Sequence, residues 1–277
     1  MTIIAFVGSV FSPYYAWARR QGKAVDPDNH CALNVALYSR EARRWTMTER
    51  GARHCHRDEM QFQIGPSQLR WQEDALVIDI DEWSVPWPHR VRGQVRLQAN
   101  TWFSESMALD AQGKHRWGPL APSARVSVSL EQPSQHWQGQ AYLDANEGDE
   151  PIEQACHEWD WSRALMADGS TAVIYDIQGK TSNEDRLLAL RFMTDGSVQP
   201  FVAPPRVNLP TTLWRMARRM RSDGSVQVKE TLEDTPFYQR ALLQSRLLGE
   251  SVQSFHETLS VPRLVSPWVQ AMLPWRM

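Results

Sequence analysis

Cysteine is scarce in this chain and follows no spacing typical of a disulfide or zinc site. Only Cys31, Cys55 and Cys156 occur among 277 residues, and an odd number without a repeated interval argues against a disulfide framework. Cys55 stands between His54 and His56. No Cys-x-x-Cys or His-x-x-x-His pair accompanies it, so structural or surface roles are favoured over metal binding. The sequence therefore predicts no metal site.

Long apolar runs are also missing. No stretch approaches the roughly 18 apolar residues that cross a membrane. The N-terminal run IIAFVGSVF, residues 3–11, is short and no Lys or Arg precedes it, so it is a poor secretory signal. The predicted location is the cytoplasm, with peripheral contact at the inner membrane left open.

Neither sign of charge is in excess over the whole chain. Lys and Arg number 30 against 32 Asp and Glu, for a formal net charge of −2. This balance gives no case for a nucleic-acid partner.

Two segments could contact an anionic or interfacial surface. The first, residues 206–229, has six basic residues against Asp223 alone. It is either a solvated outer face or a lipid-attracting one, worth about 1 kcal/mol per basic residue near the surface. The second is the tail SPWVQAMLPWRM, residues 266–277, whose tryptophans suit a docked strand or an interfacial contact.

Several sequence signatures of catalysis are absent. The chain has no GxSxG, no Walker loop, no GxGxxG and no HExxH, and these motifs mark common nucleophilic, phosphate-binding, dinucleotide-binding and zinc sites. Their absence leaves acid–base chemistry or plain ligand binding.

What the chain does have is alternation of apolar and polar residues with period two. Helical periodicity is weak except near residues 12–20 and 240–248. Many short alternating segments separated by turn signals predict an all-β fold of antiparallel barrels or sandwiches. The alternating segments are 31–39, 43–51, 60–72, 75–85, 91–98, 124–130, 137–144, 171–178, 186–193, 225–232 and 251–261.

The number of predicted strands exceeds what one eight-stranded barrel needs. We therefore expect two β domains in tandem, residues 1–120 and 121–277. The proline-rich stretch WGPLAPSA, residues 117–124, is the predicted linker because proline interrupts strands.

Tryptophan is abundant, with 13 residues, and burying so many indoles suits an aromatic-lined pocket for a large flat ligand. Aromatic and acidic residues concentrate between 115 and 176. On a strand, His115 shares a face with Trp117, and Tyr142 shares one with Asp144. Each of these side chains could instead be ordinary core, and Asp144 could simply begin the turn-like Ala-Asn-Glu-Gly that follows it.

The chain resembles a known protein family in eight segments. The matching segments are AFVGSVFSPYYAWAR, DNHCALNVALYS, RWTMTERG, IGPSQLRW, HRWGPLAPSARV, WDWSRA, LEDTPFYQR and VSPWVQAMLPWRM. They are similar to acyclic carotenoid 1,2-hydratases, also called hydroxyneurosporene synthases, over nearly the whole length. The resemblance implies two lipocalin-like domains related to AttH-type proteins. It also implies addition of water to the terminal C1–C2 double bond of neurosporene or lycopene, without an organic cofactor.

The resemblance also implies a set of site residues. The family's catalytic His-x-Trp and Tyr-x-Asp pairs fall on His115 and Trp117 and on Tyr142 and Asp144. The partners implied are an acyclic carotenoid and water. We expect the site near the domain junction, with a substrate tunnel lined by Trp159, Trp161 and Tyr175.

The chemistry assigns a hypothetical role to each residue. Hydrating an alkene needs a protonated acid, and burial can keep the Asp144 carboxyl protonated. Tyr142 would orient it, and the indole face of Trp117, with Trp159 and Trp161 in reserve, would stabilise the carbocation. His115 would take the proton of the attacking water or only bond to Asp144.

Two other functions stay open from the sequence. One is a lipocalin-like carrier of an apolar ligand, and the other is a terpenoid cyclase or isomerase on the same scaffold. A buried Asp144 beside Tyr142 and His115 favours an enzyme, whereas an exposed Asp144 in a turn favours the carrier.

Overall fold

The computed structural model describes residues 1–9, 11–22 and 24–275 and is built mainly of antiparallel strands. The predicted all-β class is therefore confirmed. The described strands are β1 (Thr2–Val7), β2 (Cys31–Tyr38), β3 (Arg43–Arg50), β4 (Cys55–Arg57), β5 (Gln61–Ile64), β6 (Ser67–Gln72), β7 (Ala75–Trp83), β8 (Arg90–Ala99), β9 (Met107–Ala108), β10 (His115–Gln132), β11 (Gln135–Gly148), β12 (Glu158–Leu165), β13 (Thr171–Gln178), β14 (Arg186–Phe192), β15 (Val198–Pro200), β16 (Arg206–Leu209), β17 (Arg218–Arg221), β18 (Gln227–Asp234), β19 (Tyr238–Leu247) and β20 (Glu250–Ser260).

Helices are short. The α-helices are α1 (Pro13–Arg20), α2 (Ile152–Ala155), α3 (Val261–Leu264) and α4 (Pro267–Met272), and 3₁₀ turns cover Pro27–Asn29, Ala52–His54, Ser182–Glu184 and Leu273–Trp275. None of these helices, over the described residues, is long and apolar enough to span a bilayer.

Of the two segments with helical periodicity, only the first forms a helix. Helix α1 confirms the first, and it begins where the Ser12 hydroxyl accepts a hydrogen bond from the Tyr15 N–H at 3.0 Å, as capping residues do. The prediction near 240–248 was wrong. That segment is β19, whose residues Leu243 and Leu247 are buried while it pairs with a strand on each side.

The chain forms two compact units that are not sequential. The first contains residues 1–99, 124–141 and 271–277, and the second contains residues 100–123 and 142–270. Since each unit takes residues from both sides of position 120, the division into 1–120 and 121–277 stays a prediction about independent folding.

The predicted linker lies inside a strand. β10 runs through residues 117–124, including Pro119 and Pro122. Its pairing with β8 begins only at Ala124. Before Ala124, β10 has no pairing with β8 on that edge. Pro119 and Pro122 are tolerated in this segment because strand pairing does not need their missing N–H groups.

The first unit contains two antiparallel arrangements. β1, β2 and β3 form one sheet, and the order β11-β10-β8-β7-β6-β5-β4 forms the other, with β10 and β11 also contributing residues to the second unit. Alternation predicts that every second residue of a strand is buried. β2 departs from this pattern, because almost all of its residues are buried.

The second unit is built on a seven-stranded sheet of order β15-β14-β13-β12-β20-β19-β18. The register sets Trp161 of β12 opposite Tyr175 of β13 and Glu257 of β20. Glu257 in turn lies opposite Arg240 of β19. Residues opposite one another share a face of the sheet, so one face of this unit carries aromatic and charged groups together.

Two of the three Asp-Gly turns close hairpins. Gly169 and Gly196 adopt φ of +84° and +89° at the β12–β13 and β14–β15 turns, a conformation that glycine reaches without a steric penalty. The third turn, residues 222–225, joins β17 to β18, and these strands pair with other partners. It is therefore not a hairpin.

Within the basic segment of residues 206–229, strand β17 covers only Arg218–Arg221. The tail is helical rather than a docked strand, with α4 followed by the turn at Leu273–Trp275. Residues 276–277 of that tail lie outside the described residues.

Candidate active site

Asp144 lies within β11, four residues before the strand ends at Gly148, and not in a turn. The Trp117 Nε1–H donates a hydrogen bond to its Oδ2 at 2.8 Å, and the Tyr142 hydroxyl donates to the same oxygen at 3.1 Å. Oδ1 accepts no hydrogen bond from the residues that the structure describes. One carboxyl oxygen is thus held by two donors and the other is left for a proton or a ligand.

The strands explain why these three side chains meet. Tyr142 and Asp144 are two positions apart on β11 and share a face. Trp117 belongs to β10, the neighbour of β11 in the sheet. Its indole is fully buried, with ring centroids 5.7 Å from Tyr175 and 6.1 Å from Phe192 in edge-on contacts. This packing fixes the direction of its N–H.

Burial dominates the acidity of Asp144. Removal from water raises the pKa of its carboxyl from 3.8 to about 6, and the negative charge of Glu257 acts in the same direction. The hydrogen bonds from Trp117 and Tyr142 and the charge of Arg163 act against this rise. With a pKa of about 6, about a tenth of the carboxyl groups are protonated at pH 7.

Tyr142 is held as a neutral donor. Burial, followed by the charge of Asp144, raises the pKa of its phenol well above 10. Its ring centroid lies 5.3 Å from that of Trp161, and the Arg163 guanidinium carbon lies 5.1 Å from the ring centroid. The phenol keeps its proton and can continue to donate to Asp144.

The predicted substrate-lining residues lie beside this group. Trp159 and Tyr175 have ring centroids 5.6 Å apart, and Trp161 contacts Tyr142 as described above. Trp161 and Tyr175 are each 6 % exposed, while Trp159 is half-buried. The Nε1 of Trp161 is buried without a hydrogen-bond partner among the described residues. The structure therefore brings all three into the second unit with Asp144.

His115 is not joined to Asp144. Its backbone N–H donates to Asp110 at 2.6 Å. Its imidazole lies against Gly148, where an added Cβ would be 2.7 Å from Nδ1. Its Nε2 is buried and has no hydrogen-bond partner in the described part of the chain. The predicted direct bond from His115 to Asp144 is therefore absent from this structure.

Charged residues that the sequence reasoning missed complete the surroundings. Arg163 and Glu257 both influence the pKa of Asp144. Asp160 and Arg163, three positions apart on the same strand, project from opposite faces of β12. Asp160 accepts a hydrogen bond from Thr258 at 2.6 Å. Alternation along β12 places Arg163 with Trp159 and Trp161, and this signal was available in the sequence.

No group of three metal-ligating side chains is found among the described residues. The residues around Asp144 provide a protonatable carboxyl, two neutral donors, a cation and aromatic rings. This set can deliver a proton and surround an apolar or cationic species, since aromatic faces attract cations.

Comparison with known proteins places this chain in a family. The family described as Carotenoid hydratase CrtC matches residues 3–277. The chain is 55 % identical over 280 residues to the acyclic carotenoid 1,2-hydratase of Rubrivivax gelatinosus, covering 100 % of this chain and 69 % of that protein. The hydratase of the same name from Rhodobacter capsulatus is 35 % identical, with 99 % of this chain and 96 % of that protein covered.

A solved structure agrees on the fold alone. A putative AttH from Nitrosomonas europaea superposes with a TM-score of 0.61 at 14 % identity, covering 87 % of this chain and 83 % of that one. This supports the AttH-related architecture expected from the sequence. Because the family match spans almost every residue, the chain belongs to the carotenoid hydratase CrtC family.

Proposed function

We propose that this protein adds water across the terminal C1–C2 double bond of an acyclic carotenoid such as neurosporene or lycopene. Family membership supports the reaction class. The observation that carries the mechanism is the Asp144 carboxyl, whose Oδ2 accepts bonds from Trp117 and Tyr142 and whose pKa is raised to about 6.

The first step is proton transfer from Oδ1 of Asp144 to C2 of the alkene. The π electrons form the new C–H bond, C1 becomes a tertiary carbocation, and the carboxyl becomes a carboxylate. Charge-assisted hydrogen bonds are stronger than neutral ones. The bonds from Trp117 and Tyr142 therefore strengthen as charge develops on Asp144, which lowers the barrier.

The carbocation needs aromatic faces. The ring of Trp117 is enclosed by Tyr175 and Phe192, so we assign this residue to hydrogen bonding with the acid rather than to cation stabilisation. That second role passes to Trp159 and Trp161, since an indole face is worth about 2 kcal/mol to a desolvated cation.

Water then attacks C1, and its proton leaves to a base. His115 is the proposed base because its Nε2 is buried without a protein partner, and a buried polar atom of this kind is a natural contact for water. The products are a tertiary alcohol at C1 and a protonated base, and exchange with solvent returns the proton to Asp144.

A carrier function has less support. A carrier would use the aromatic residues but needs no protonatable carboxyl among them. The half-buried Asp144 lies inside the second unit beside Tyr142, which favours the enzyme.

We also propose peripheral membrane contact by a cytoplasmic protein, because the substrate is an apolar C40 chain. The tryptophan patch consists of Leu213, Trp214 and Trp268, which are 91 %, 44 % and 52 % exposed. The two indole centroids lie 6.3 Å apart, and indoles favour the membrane interface. Arg263 donates to the Trp214 carbonyl at 2.9 Å, which holds the patch in place.

The experiment is expression in a lycopene-producing bacterial host, with mass spectrometry of the extracted carotenoids. The native chain should give products heavier by one water, and Asp144→Asn should give none while remaining folded by circular dichroism. Asp195→Asn, at an exposed turn, is the matched control and should retain activity. Absence of hydrated product from the native chain with lycopene and neurosporene would refute the proposal.

A further inference from the structure

Arg163 on β12 is an arginine enclosed by aromatic rings. Its guanidinium carbon lies 5.1 Å from the ring centroid of Tyr142 and 5.3 Å from that of Phe255. Its side chain is half-buried. Stacking on two rings stabilises a cation and restrains its plane.

Arg163 forms no ion pair with any residue in the described ranges. The contrast is Arg240, which stacks on Phe255 at 5.6 Å but also bonds to Glu257 at 2.8 Å and Glu233 at 3.1 Å. An enclosed cation without a carboxylate partner is costly. A protein that keeps one in this position gains from a negative charge that forms nearby.

The charges around Arg163 identify that group. Burial lowers the pKa of the Arg163 guanidinium, and the ionised forms of Tyr142, Asp144 and Glu257 oppose this change. Tyr142 is a neutral phenol, and Glu257 is already paired with Arg240. Asp144 is therefore the remaining group whose negative charge Arg163 is placed to balance.

Ionisation of Asp144 places one negative charge beside the Tyr142 hydroxyl, which donates to this carboxyl. Arg163 stacks on the ring of the same Tyr142 and has no ion pair in the described structure.

We propose that Arg163 is a positioning residue that holds the Tyr142 ring by stacking and stabilises the Asp144 carboxylate that forms when the proton leaves. This inference rests on the proposed function, in which Asp144 is the acid. Arg163 makes Asp144 a stronger acid toward the alkene, at the cost of a smaller protonated fraction at a given pH.

The test is the pH dependence of hydration by Arg163→Met and Arg163→Lys. Methionine removes the charge, so the pKa of Asp144 should rise and the alkaline limb of the kcat profile should move up by about one pH unit. The low-pH plateau should fall about tenfold, because the carboxylate is less stable. Lysine keeps the charge and should leave the limb at its native position.

A second readout does not require turnover. Carboxyl ¹³C NMR of labelled protein, with the Asp144 signal assigned by its loss in Asp144→Asn, should show the same upward shift in Arg163→Met. Arg57→Met is the matched control, since Arg57 also stacks on a ring, Phe62 at 5.9 Å, and should change neither the limb nor the signal. If the native chain has no hydratase activity, this titration still tests the effect of Arg163 on Asp144.

The outcomes separate a charge effect from a structural one. A folded Arg163→Met protein with an unmoved limb and an unshifted Asp144 signal would overturn the inference. If Arg163→Met does not fold, Arg163→Lys decides: a native limb supports the inference, and a limb displaced toward higher pH contradicts it.

Discussion

At the scale of single residues, the two oxygens of Asp144 are unequal. Oδ2 accepts bonds from Trp117 and Tyr142 at 2.8 and 3.1 Å, and Oδ1 accepts none among the described residues. The proton of the acid form therefore belongs on Oδ1. A carboxyl prepared in this way gives its proton from one oxygen while the other is ready to bear the resulting charge.

Trp117→Phe tests this assignment because it keeps an aromatic ring and removes the N–H. We expect kcat to fall about 10- to 100-fold, as for a lost hydrogen bond to a charged group. The alkaline limb should move to higher pH, because this bond lowers the pKa of Asp144.

Trp161→Phe is the matched control, since its Nε1 has no hydrogen-bond partner among the described residues. This variant should not move the limb, although its lost ring area can reduce the rate. A Trp117→Phe enzyme with native rate and native limb would show that the N–H does not act on the acid.

Residue-scale features were only partly predictable from the sequence. Period-two alternation correctly paired Tyr142 with Asp144, and family resemblance added Trp117. The direction of the indole N–H depends on packing against Tyr175 and Phe192, which are 58 and 75 positions further along the chain. No local pattern contains that information. His115 shares a strand with Trp117, yet its ring lies against Gly148 instead of Asp144.

At the scale of elements, the sheet of the second unit has two chemically different faces. The aromatic face contains Asp144's neighbours, and the opposite face of β13 carries Asp176. Asp176 accepts bonds from Arg206 of β16 at 2.7 and 2.8 Å and from Arg221 of β17 at 2.7 Å. Burial alone would raise the pKa of Asp176, but the two guanidinium groups lower it below 3.8.

Asp176→Asn should therefore lower the free energy of unfolding and leave the catalytic step unaffected. Removing one member of a buried ion pair costs about 3 kcal/mol, which urea unfolding would measure. The loss should be largest at neutral pH and shrink as pH falls through the depressed pKa of Asp176, where the native carboxyl is protonated too. Asp168→Asn removes an exposed partner of Arg191 and should cost much less; equal losses would contradict this account.

Strand alternation predicted most of the strands, whereas the prolines in residues 117–124 led to the wrong prediction of a linker there. Whether a proline breaks a strand depends on which edge needs its N–H, and that depends on the distant partner β8. The helix prediction near residues 240–248 was wrong for a related reason. Leu243 and Leu247 satisfy both a helical and a strand spacing, and pairing on both sides decided for the strand.

At the scale of the whole molecule, the all-β fold class was predictable from the sequence, and the division into residues 1–120 and 121–277 stays a prediction. The two units exchange segments along the chain, and non-local strand pairing of this kind leaves no mark in local composition. The family match over residues 3–277 agrees with a resemblance that spans nearly the whole sequence.

The tryptophan patch gives a prediction at this scale. Leu213→Ser with Trp214→Ser should reduce co-sedimentation with vesicles of anionic and zwitterionic lipid several-fold, because both side chains are exposed and apolar. Turnover of carotenoid supplied in those vesicles should fall in parallel. Leu187→Ser, at another exposed apolar position, serves as the control; equal losses from both proteins would exclude a specific contact by the patch.

The pH dependence of kcat in the native enzyme tests the acid role of Asp144 most directly. Because burial raises the pKa of Asp144 from 3.8 to about 6, its protonated fraction falls as pH rises through that value. The account predicts a plateau below about pH 6 and a decline of about tenfold per pH unit well above it. A rate that stays constant or rises between about pH 5 and 8, in a protein that remains folded, would contradict protonation by Asp144.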